Sequence, residues 1–148
     1  MNVLIVEDEP AASKNLEIIL REIDADMNIL ATINSVQELI EWIPNNPAPD
    51  LAFFDIQLSD DNVFKAFRKI DIPFPVVFIT AYDSYAIRAF KVNSIDYLLK
   101  PVRSSEVNQA IEKYRHILRL GEVKMESQML SMLKDLSGKN PSNYRQTL

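Results

Sequence analysis

Short apolar runs separated by longer helical segments constrain the fold of this chain more than any other feature. The runs cover residues 3–6, 29–33, 51–54, 76–79 and 97–99. Uninterrupted apolar runs of this length are typical of strands buried on both faces of a parallel sheet. Parallel strands need crossover helices, which cover both faces of the sheet. The pattern therefore predicts an α/β fold: a three-layer sandwich with a five-stranded parallel sheet and right-handed crossovers.

Helix signals occur in each segment that follows a run. Pro10 suits a first helical turn, Ser35 and Glu38 have the spacing of a capping box, and Ser104 is a candidate cap of the last core helix. Apolar residues also recur at helical spacing in each segment and predict the buried face of its helix. Examples are Leu16 and Ile19, Leu39 and Ile43, Phe64 and Phe67, Ala86 and Phe90, and Val107 and Ile111.

The 148 residues suit one domain with a short tail. We predict a domain over residues 1–119 and a tail over residues 120–148. In the tail, Met125, Met129 and Leu136 recur at helical spacing and predict one more helix. The breaker-rich residues 137–142 that follow predict a linker.

Charge and residue usage exclude several classes of function for this domain. The formal net charge of −5 argues against a nucleic-acid-binding surface, since phosphate backbones favour Lys and Arg. The apolar start is interrupted by acids after residue 6, so it predicts neither a signal peptide nor a membrane span. The chain has no cysteine, which suits a reducing compartment, and we expect a cytoplasmic protein.

Chemically reactive side chains follow four of the five predicted strands. Glu7 and Asp8 follow the first strand, and Asp55 follows the third. Thr80 and Lys100 follow the fourth and fifth. In open α/β sheets the ligand crevice lies at the carboxyl ends of the strands, so we expect these side chains to converge in one cleft.

Three converging carboxylates would repel one another and raise each other's pKa unless a cation neutralises them. Oxygen ligands, with no cysteine and no nearby histidine, favour a hard cation. A few carboxylates completed by water suit Mg²⁺, whereas Ca²⁺ prefers more protein ligands. Because Asp forms aspartyl-phosphates, the cleft predicts phosphoryl transfer to Asp55, with Thr80 and Lys100 stabilising the developing charge.

Each of these residues also has an ordinary structural explanation. Acidic loops are usually solvated, Asp and Thr favour the turns between strands and helices, and Lys is usually exposed. Their coincidence at four strand ends favours a functional site. His116, the single histidine, lies late in the last core helix, and we assign it no role. The chain has only two glycines, Gly121 and Gly138, which excludes a glycine-rich phosphate-binding loop.

Four motifs carry a family resemblance. They are IVEDE, FFDIQL, FITAYD and DYLLKP, at the ends of the first, third, fourth and fifth strands. With them the sequence resembles response-regulator receiver domains over roughly residues 1–118. The resemblance implies a flavodoxin-like sheet in the order 2-1-3-4-5 and a cis peptide bond between Lys100 and Pro101.

The resemblance also implies roles for individual residues. Glu7, Asp8 and Asp55 would bind Mg²⁺, and the backbone carbonyl of Gln57 would complete the metal site. Asp55 would take its phosphoryl group from a sensor histidine kinase. Such a protein is a phosphoacceptor with intrinsic phosphotransfer and autodephosphorylation, and it is not a turnover enzyme.

The switch and the output are implied in the same way. Thr80 and Lys100 would contact the phosphoryl group, and Tyr97 would be the switch aromatic, with a homodimer as the phosphorylated form. The stretch from Thr80 to Pro101 is especially similar to receivers of LytTR-type regulators, whose C-terminal domain binds DNA. That domain is absent here, so we expect the sequence to be part of a longer transcription regulator.

One loop departs from the family pattern. Where many receivers have a glycine after the acceptor, this chain has Asp60, Asp61 and Asn62. The departure leaves open the shape and charge of the loop near the metal.

Two other functions compete with a receiver. A magnesium-dependent phosphatase of the haloacid dehalogenase type also uses a strand-end Asp with Lys and Thr or Ser, and it would turn over. Gln57 argues against it, because that position should carry a second Asp as general acid. The other alternative is an interaction module with a vestigial acidic cleft, which would bind a partner without being phosphorylated.

Overall fold

The computed structural model describes residues 1–82 and 94–138, and it describes side chains up to residue 121. Its sheet has five parallel strands in the order β2-β1-β3-β4-β5, which confirms the predicted sheet. The strands are β1 (Asn2–Val6), β2 (Asn28–Ile33), β3 (Leu51–Asp55), β4 (Val76–Thr80) and β5 (Asp96–Leu99). The helices among the described residues are α1 (Pro10–Ile23), α2 (Val36–Asn45), α3 (Phe64–Lys69) and the C-terminal helix (Ser104–Gly138).

The two faces of the sheet bury different sets of side chains, because neighbouring residues of a strand point to opposite faces. On one face, Leu4, Phe54 and Phe78 belong to a single core cluster with residues of α2 and α3. Their strand neighbours Ile5 and Phe53 are also fully buried and face the other side. Buried residues of α1 and of the start of the C-terminal helix supply the matching apolar surface. Helices therefore line both faces, as in the predicted three-layer arrangement.

The start of α2 differs in one detail from the predicted capping box. The Ser35 hydroxyl accepts a hydrogen bond from the Glu38 amide at 3.1 Å, as expected. The Glu38 carboxylate, however, reaches back to the Asn34 amide at 2.8 Å instead of the Ser35 amide. The cap therefore fixes one residue more of the loop before the helix.

The C-terminal helix is longer than the sequence pattern predicts. Instead of a core helix followed by a separate tail helix, one helix runs without interruption from Ser104 to Gly138. Gly121 lies inside it with open space where a side chain would be, so this glycine weakens the helix without breaking it. The predicted helix around residues 85–90 and the linker beyond residue 138 lie outside the described residues.

The chain divides into two compact units. Met1–Lys113 contains the whole sheet, and the described part of the second unit, from Tyr114 onward, is helical. The predicted domain boundary at residue 119 remains a prediction. Every helix in the described part of the chain is too short or too polar to cross a bilayer.

Phe54 holds the aromatic part of the core together. Its ring makes edge-to-face contacts with Phe67, Phe74 and Phe78 at centroid distances of 6.0, 6.1 and 6.4 Å. The side chain is completely buried. Because β3 ends one residue later, at Asp55, this packing also fixes the strand end that carries the acceptor candidate.

We predict that Phe54→Ala lowers the free energy of unfolding by about 3–5 kcal/mol, since it leaves a cavity and removes three aromatic contacts. Urea denaturation followed by circular dichroism measures this loss. Ile18→Ala, at a side chain that is 48% exposed, is the control and should cost less than about 0.5 kcal/mol. Similar losses in the two variants would contradict the packing described here.

Candidate functional site

Four carboxylates meet at the carboxyl end of the sheet. Glu7, Asp8, Glu9 and Asp55 each place one oxygen within 4.8 Å of the others. The sheet register explains this, because Val6 pairs with Phe54 in adjacent strands, which places Glu7 and Asp55 side by side at the same end of the sheet. Glu7 and Asp55 are only 6% and 4% exposed. The structure thus brings the three predicted acids together and adds Glu9, which the sequence analysis did not assign.

The Lys100 ammonium lies among these acids. Its Nζ is 2.8 Å from Glu7 Oε1, 2.9 Å from Glu9 Oε1 and 3.1 Å from Asp55 Oδ2. The Lys100 amide donates to the Thr80 carbonyl at 2.7 Å, which continues the pairing of β5 with β4 beyond the strand end. The peptide bond to Pro101 is cis, as the resemblance implied. Lys100 is therefore the counter-charge of the cluster.

Burial and neighbouring charges displace the pKa values in the cluster. Burial raises the pKa of Glu7, and the nearby Asp55 adds to the effect, although the hydrogen bond from Lys100 opposes it. Burial and the charge of Glu7 also raise the pKa of Asp8. Partial burial alone would lower the pKa of Lys100, but its hydrogen bonds to Glu7, Glu9 and Asp55 outweigh this and raise it. The lysine is therefore firmly protonated.

The donor set fits a hard divalent cation. All ligand atoms in the cluster are carboxylate oxygens, the type that Mg²⁺ prefers. Ionised, four carboxylates against one ammonium leave an excess of negative charge. Burial, with a smaller contribution from the neighbouring Asp55, raises the pKa of Glu7, and a bound cation would favour the ionised carboxylate. Charge and ligand chemistry thus agree with a metal at this position.

Thr80 and Tyr97 share one bonding partner. The fully buried Thr80 ends β4, and its Oγ accepts a hydrogen bond from the Tyr82 amide at 3.2 Å. The Tyr97 hydroxyl donates to the carbonyl of the same Tyr82. The Tyr97 ring is partly buried and packs against the core cluster. The backbone of Tyr82 therefore connects the two residues that the sequence analysis named for the switch.

The loop after Asp55 is ordered by hydrogen bonds and contains no glycine. The Gln57 amide donates to Asp55 Oδ1 at 3.3 Å, and the Leu58 amide donates to the Asp61 carbonyl at 3.0 Å. At the tip of the loop, the Asp60 carboxylate accepts from the first two amides of α2. The structure thus defines the loop shape that the sequence left open. The bond from Asp60 to α2 had no local signal in the sequence.

A cavity of about 410 Å³ opens beside the acids. Glu7, Glu9 and Lys100 line one end of it, and residues of α1 together with Pro101 and Val102 line the rest. Most of this lining is apolar, so the charged cluster borders an apolar cavity on the side of α1.

Comparison with known proteins gives a consistent result. The family model of the response regulator receiver domain matches residues 3–112. The sensory transduction protein LytT of Bacillus anthracis is 35% identical over 141 residues, which cover 93% of this chain and 53% of that protein. The transcriptional regulatory protein LytR of Staphylococcus aureus strain N315 is 32% identical over 151 aligned positions, which cover 100% of this chain and 57% of that protein. The chain spans about half the length of these curated relatives.

Solved structures agree with the sequence comparison. The response regulatory domain of protein mrkE from Klebsiella pneumoniae superposes with a TM-score of 0.70 at 25% identity, over 81% of this chain and 99% of that one. The signal receiver domain of a modulated diguanylate cyclase from Desulfovibrio desulfuricans G20 gives 0.68 at 29% identity, over 81% and 97% of the two chains.

We predict that Lys100→Met lowers the free energy of unfolding by about 2–3 kcal/mol in metal-free buffer at neutral pH, because it leaves Glu7 and Asp55 buried without a counter-charge. Partial solvent access keeps the loss below the value for a fully buried pair. Lys113→Met, which removes the exposed ion pair with Asp96, is the control and should cost less than about 1 kcal/mol. Denaturant titration in the presence of a chelator measures both, and equal losses would refute the counter-charge assignment.

Proposed function

Because the chain belongs to the response regulator receiver family, we propose that it works as a phosphorylation switch whose acceptor is Asp55. Membership in this family implies that a sensor kinase provides the input. One observation carries the residue assignment: the Asp55 carboxylate is buried at the end of β3 and lies 3.1 Å from Lys100 Nζ. Asp55 is also the one acid of the cluster that lies within a strand, as the last residue of β3, whereas Glu7, Asp8 and Glu9 follow β1.

The proposed reaction is a transfer of a phosphoryl group. A carboxylate oxygen of Asp55 forms a bond to phosphorus, while the bond from phosphorus to the donor, a phosphohistidine nitrogen or an acyl phosphate oxygen, breaks with its electron pair. The Gln57 amide holds Asp55 Oδ1, which orients the carboxylate. Glu7, Asp8 and Asp55, with the Gln57 carbonyl, would hold Mg²⁺, which supplies positive charge against the phosphoryl oxygens.

Lys100 is placed to change partners during the reaction. In the unphosphorylated structure, Lys100 donates to oxygens of Glu7, Glu9 and Asp55. Phosphorylation replaces the Asp55 carboxylate, with its one negative charge, by an acyl phosphate that carries roughly −1.5 to −2 charges. The ammonium then gains a stronger anionic partner than the carboxylate it loses. We propose that Lys100 and the Thr80 hydroxyl contact this group.

The hydrogen bonds of the Tyr82 backbone support a structural connection between Thr80, beside the acceptor, and Tyr97. The Thr80 hydroxyl accepts from the Tyr82 amide, so a rotation of Thr80 toward the phosphoryl group would displace that bond. A displacement of the Tyr82 backbone would also move its carbonyl, to which the Tyr97 hydroxyl donates. We propose that this link biases the packing of Tyr97 and so converts a local charge into a new surface.

The output of this switch is proposed from the relatives. Two of them are named LytT, a sensory transduction protein, and LytR, a transcriptional regulatory protein, and both are about twice as long as the matched region. We propose that phosphorylation promotes a homodimer and that DNA is bound through a LytTR-type domain outside this sequence, in the cytoplasm.

We predict that wild-type protein incubated with Mg²⁺ and acetyl phosphate gains one phosphoryl group by intact-mass analysis, and that Asp55→Asn gains none. The substitution removes the nucleophile but preserves the shape of the side chain and reduces repulsion in the cluster. Asp8→Ala should label poorly and lose the thermal stabilisation by Mg²⁺, because that stabilisation needs the folded site.

Asp61→Asn is the matched control, since it neutralises an exposed acid on the same loop and should label like wild type. Full labelling of Asp55→Asn would refute the acceptor assignment. Continuous release of phosphate would favour the hydrolase alternative, and no labelling of wild type would favour the vestigial module.

We predict that beryllofluoride, a phosphoryl mimic, shifts the wild-type protein from monomer to dimer in multi-angle light scattering. It should also change the NMR environment of Tyr97, because Thr80 accepts from the Tyr82 amide and Tyr97 donates to the Tyr82 carbonyl. Tyr97→Phe removes only the hydroxyl that donates to Tyr82 and should weaken the response. A protein that stays monomeric at high concentration with an unchanged Tyr97 signal would contradict the switch.

A further inference from the structure

The loop after the acceptor is bound at its tip to a helix far away in sequence. Asp60 Oδ1 accepts a hydrogen bond from the Val36 amide at 2.9 Å, and Asp60 Oδ2 accepts one from the Gln37 amide at 3.1 Å. These are the first two residues of α2. Both oxygens of one carboxylate are therefore used on adjacent amides at the positive end of a helix, where such bonds are strong.

The other donors at this end of α2 are satisfied without the loop. The Ser35 hydroxyl accepts from the Glu38 amide, and Glu38 accepts from the Asn34 amide. The helix is itself anchored, because Val36 and Leu39 are buried in the core cluster. Asp60 therefore has two roles: it caps α2, and it attaches the tip of its own loop to a helix that is anchored in the core.

The bonds inside the loop connect this tip to the acceptor. Gln57 pairs with Asn62 across the loop, and the Leu58 amide donates to the Asp61 carbonyl at 3.0 Å. At the base, the Val63 amide donates to the Ile56 carbonyl at 2.7 Å. These bonds form a narrow paired loop that runs from residue 60 to Gln57, two residues after Asp55.

We propose that Asp60 is a positioning residue that holds the Gln57 backbone in place for the cation, with α2 as its support. This inference rests on the proposed function, because the cation belongs to that site. Residues that orient metal ligands typically change metal affinity by about 10- to 100-fold when they are replaced. By linkage, a cation bound at the loop must in turn strengthen the hold of Asp60 on α2.

The test compares Asp60→Asn with Asp61→Asn in the full chain. Both remove one negative charge from the same loop, but the Asp61 side chain bonds only within its own segment, to the Asn62 amide and to Lys65. Mg²⁺ alone is titrated by calorimetry. We expect the dissociation constant to rise about tenfold in Asp60→Asn and less than about threefold in Asp61→Asn.

Ser35→Ala separates a loss of helix stability from a change in the loop. It removes another cap of α2 without touching the loop, so its melting temperature should fall while its Mg²⁺ affinity stays that of wild type. Amide hydrogen exchange provides a second measurement. Saturating Mg²⁺ should slow exchange at Val36 and Gln37 in wild type and in Asp61→Asn, and should have no such effect in Asp60→Asn.

Equal Mg²⁺ affinities in Asp60→Asn and Asp61→Asn, with wild type still binding Mg²⁺ and accepting phosphate, would overturn this inference and leave the proposed function standing. A loss of affinity in Ser35→Ala as large as that in Asp60→Asn would also overturn it, because helix stability would then explain both. Wild type that neither binds Mg²⁺ nor accepts phosphate would overturn the proposed function and this inference together.

Discussion

The site depends on one ammonium shared among three carboxylates. Glu7 and Asp55 are buried side by side at the ends of adjacent strands, a costly arrangement without compensation. Lys100 provides that compensation from the far side of β4, with oxygens of Glu7, Glu9 and Asp55 within 3.1 Å of its Nζ. The order of the sheet makes this possible, since it lines up the ends of β1, β3, β4 and β5 along one edge. The buried acids and their counter-charge thus form one electrostatic unit at the end of the sheet.

Positions around this cluster are held by hydrogen bonds to backbone groups. The Gln57 amide orients Asp55, the Asp60 carboxylate connects the following loop to α2, and the Tyr82 backbone joins Thr80 to Tyr97. A loop without glycine can be rigid in this way because its side chains supply the acceptors that a tight turn would otherwise take from the main chain. These bonds fix three segments around the acidic cluster: Asp55 itself, the loop that follows it, and the ends of β4 and β5.

Much of the fold and part of the site followed from local patterns. Apolar runs predicted all five strands, because the burial of a strand is visible in the pattern of consecutive residues. The ends of these runs located Glu7, Asp8, Asp55, Thr80 and Lys100. The sheet order and the cis bond came from the family resemblance. The continuous C-terminal helix was missed, because a glycine and a change in apolar pattern resemble a boundary unless the backbone is seen.

Contacts between distant segments were decided only by the tertiary structure. The bond between Lys100 and Glu9 joins residues 91 positions apart, and that between Asp60 and Val36 spans 24. The order of residues along the chain specifies which side chains follow each strand, and it predicted that acids, a hydroxyl and an amine lie along one edge of the sheet. It did not determine which oxygen each donor reaches, because side-chain distances depend on sheet register and loop path, and these are set by packing across the whole domain.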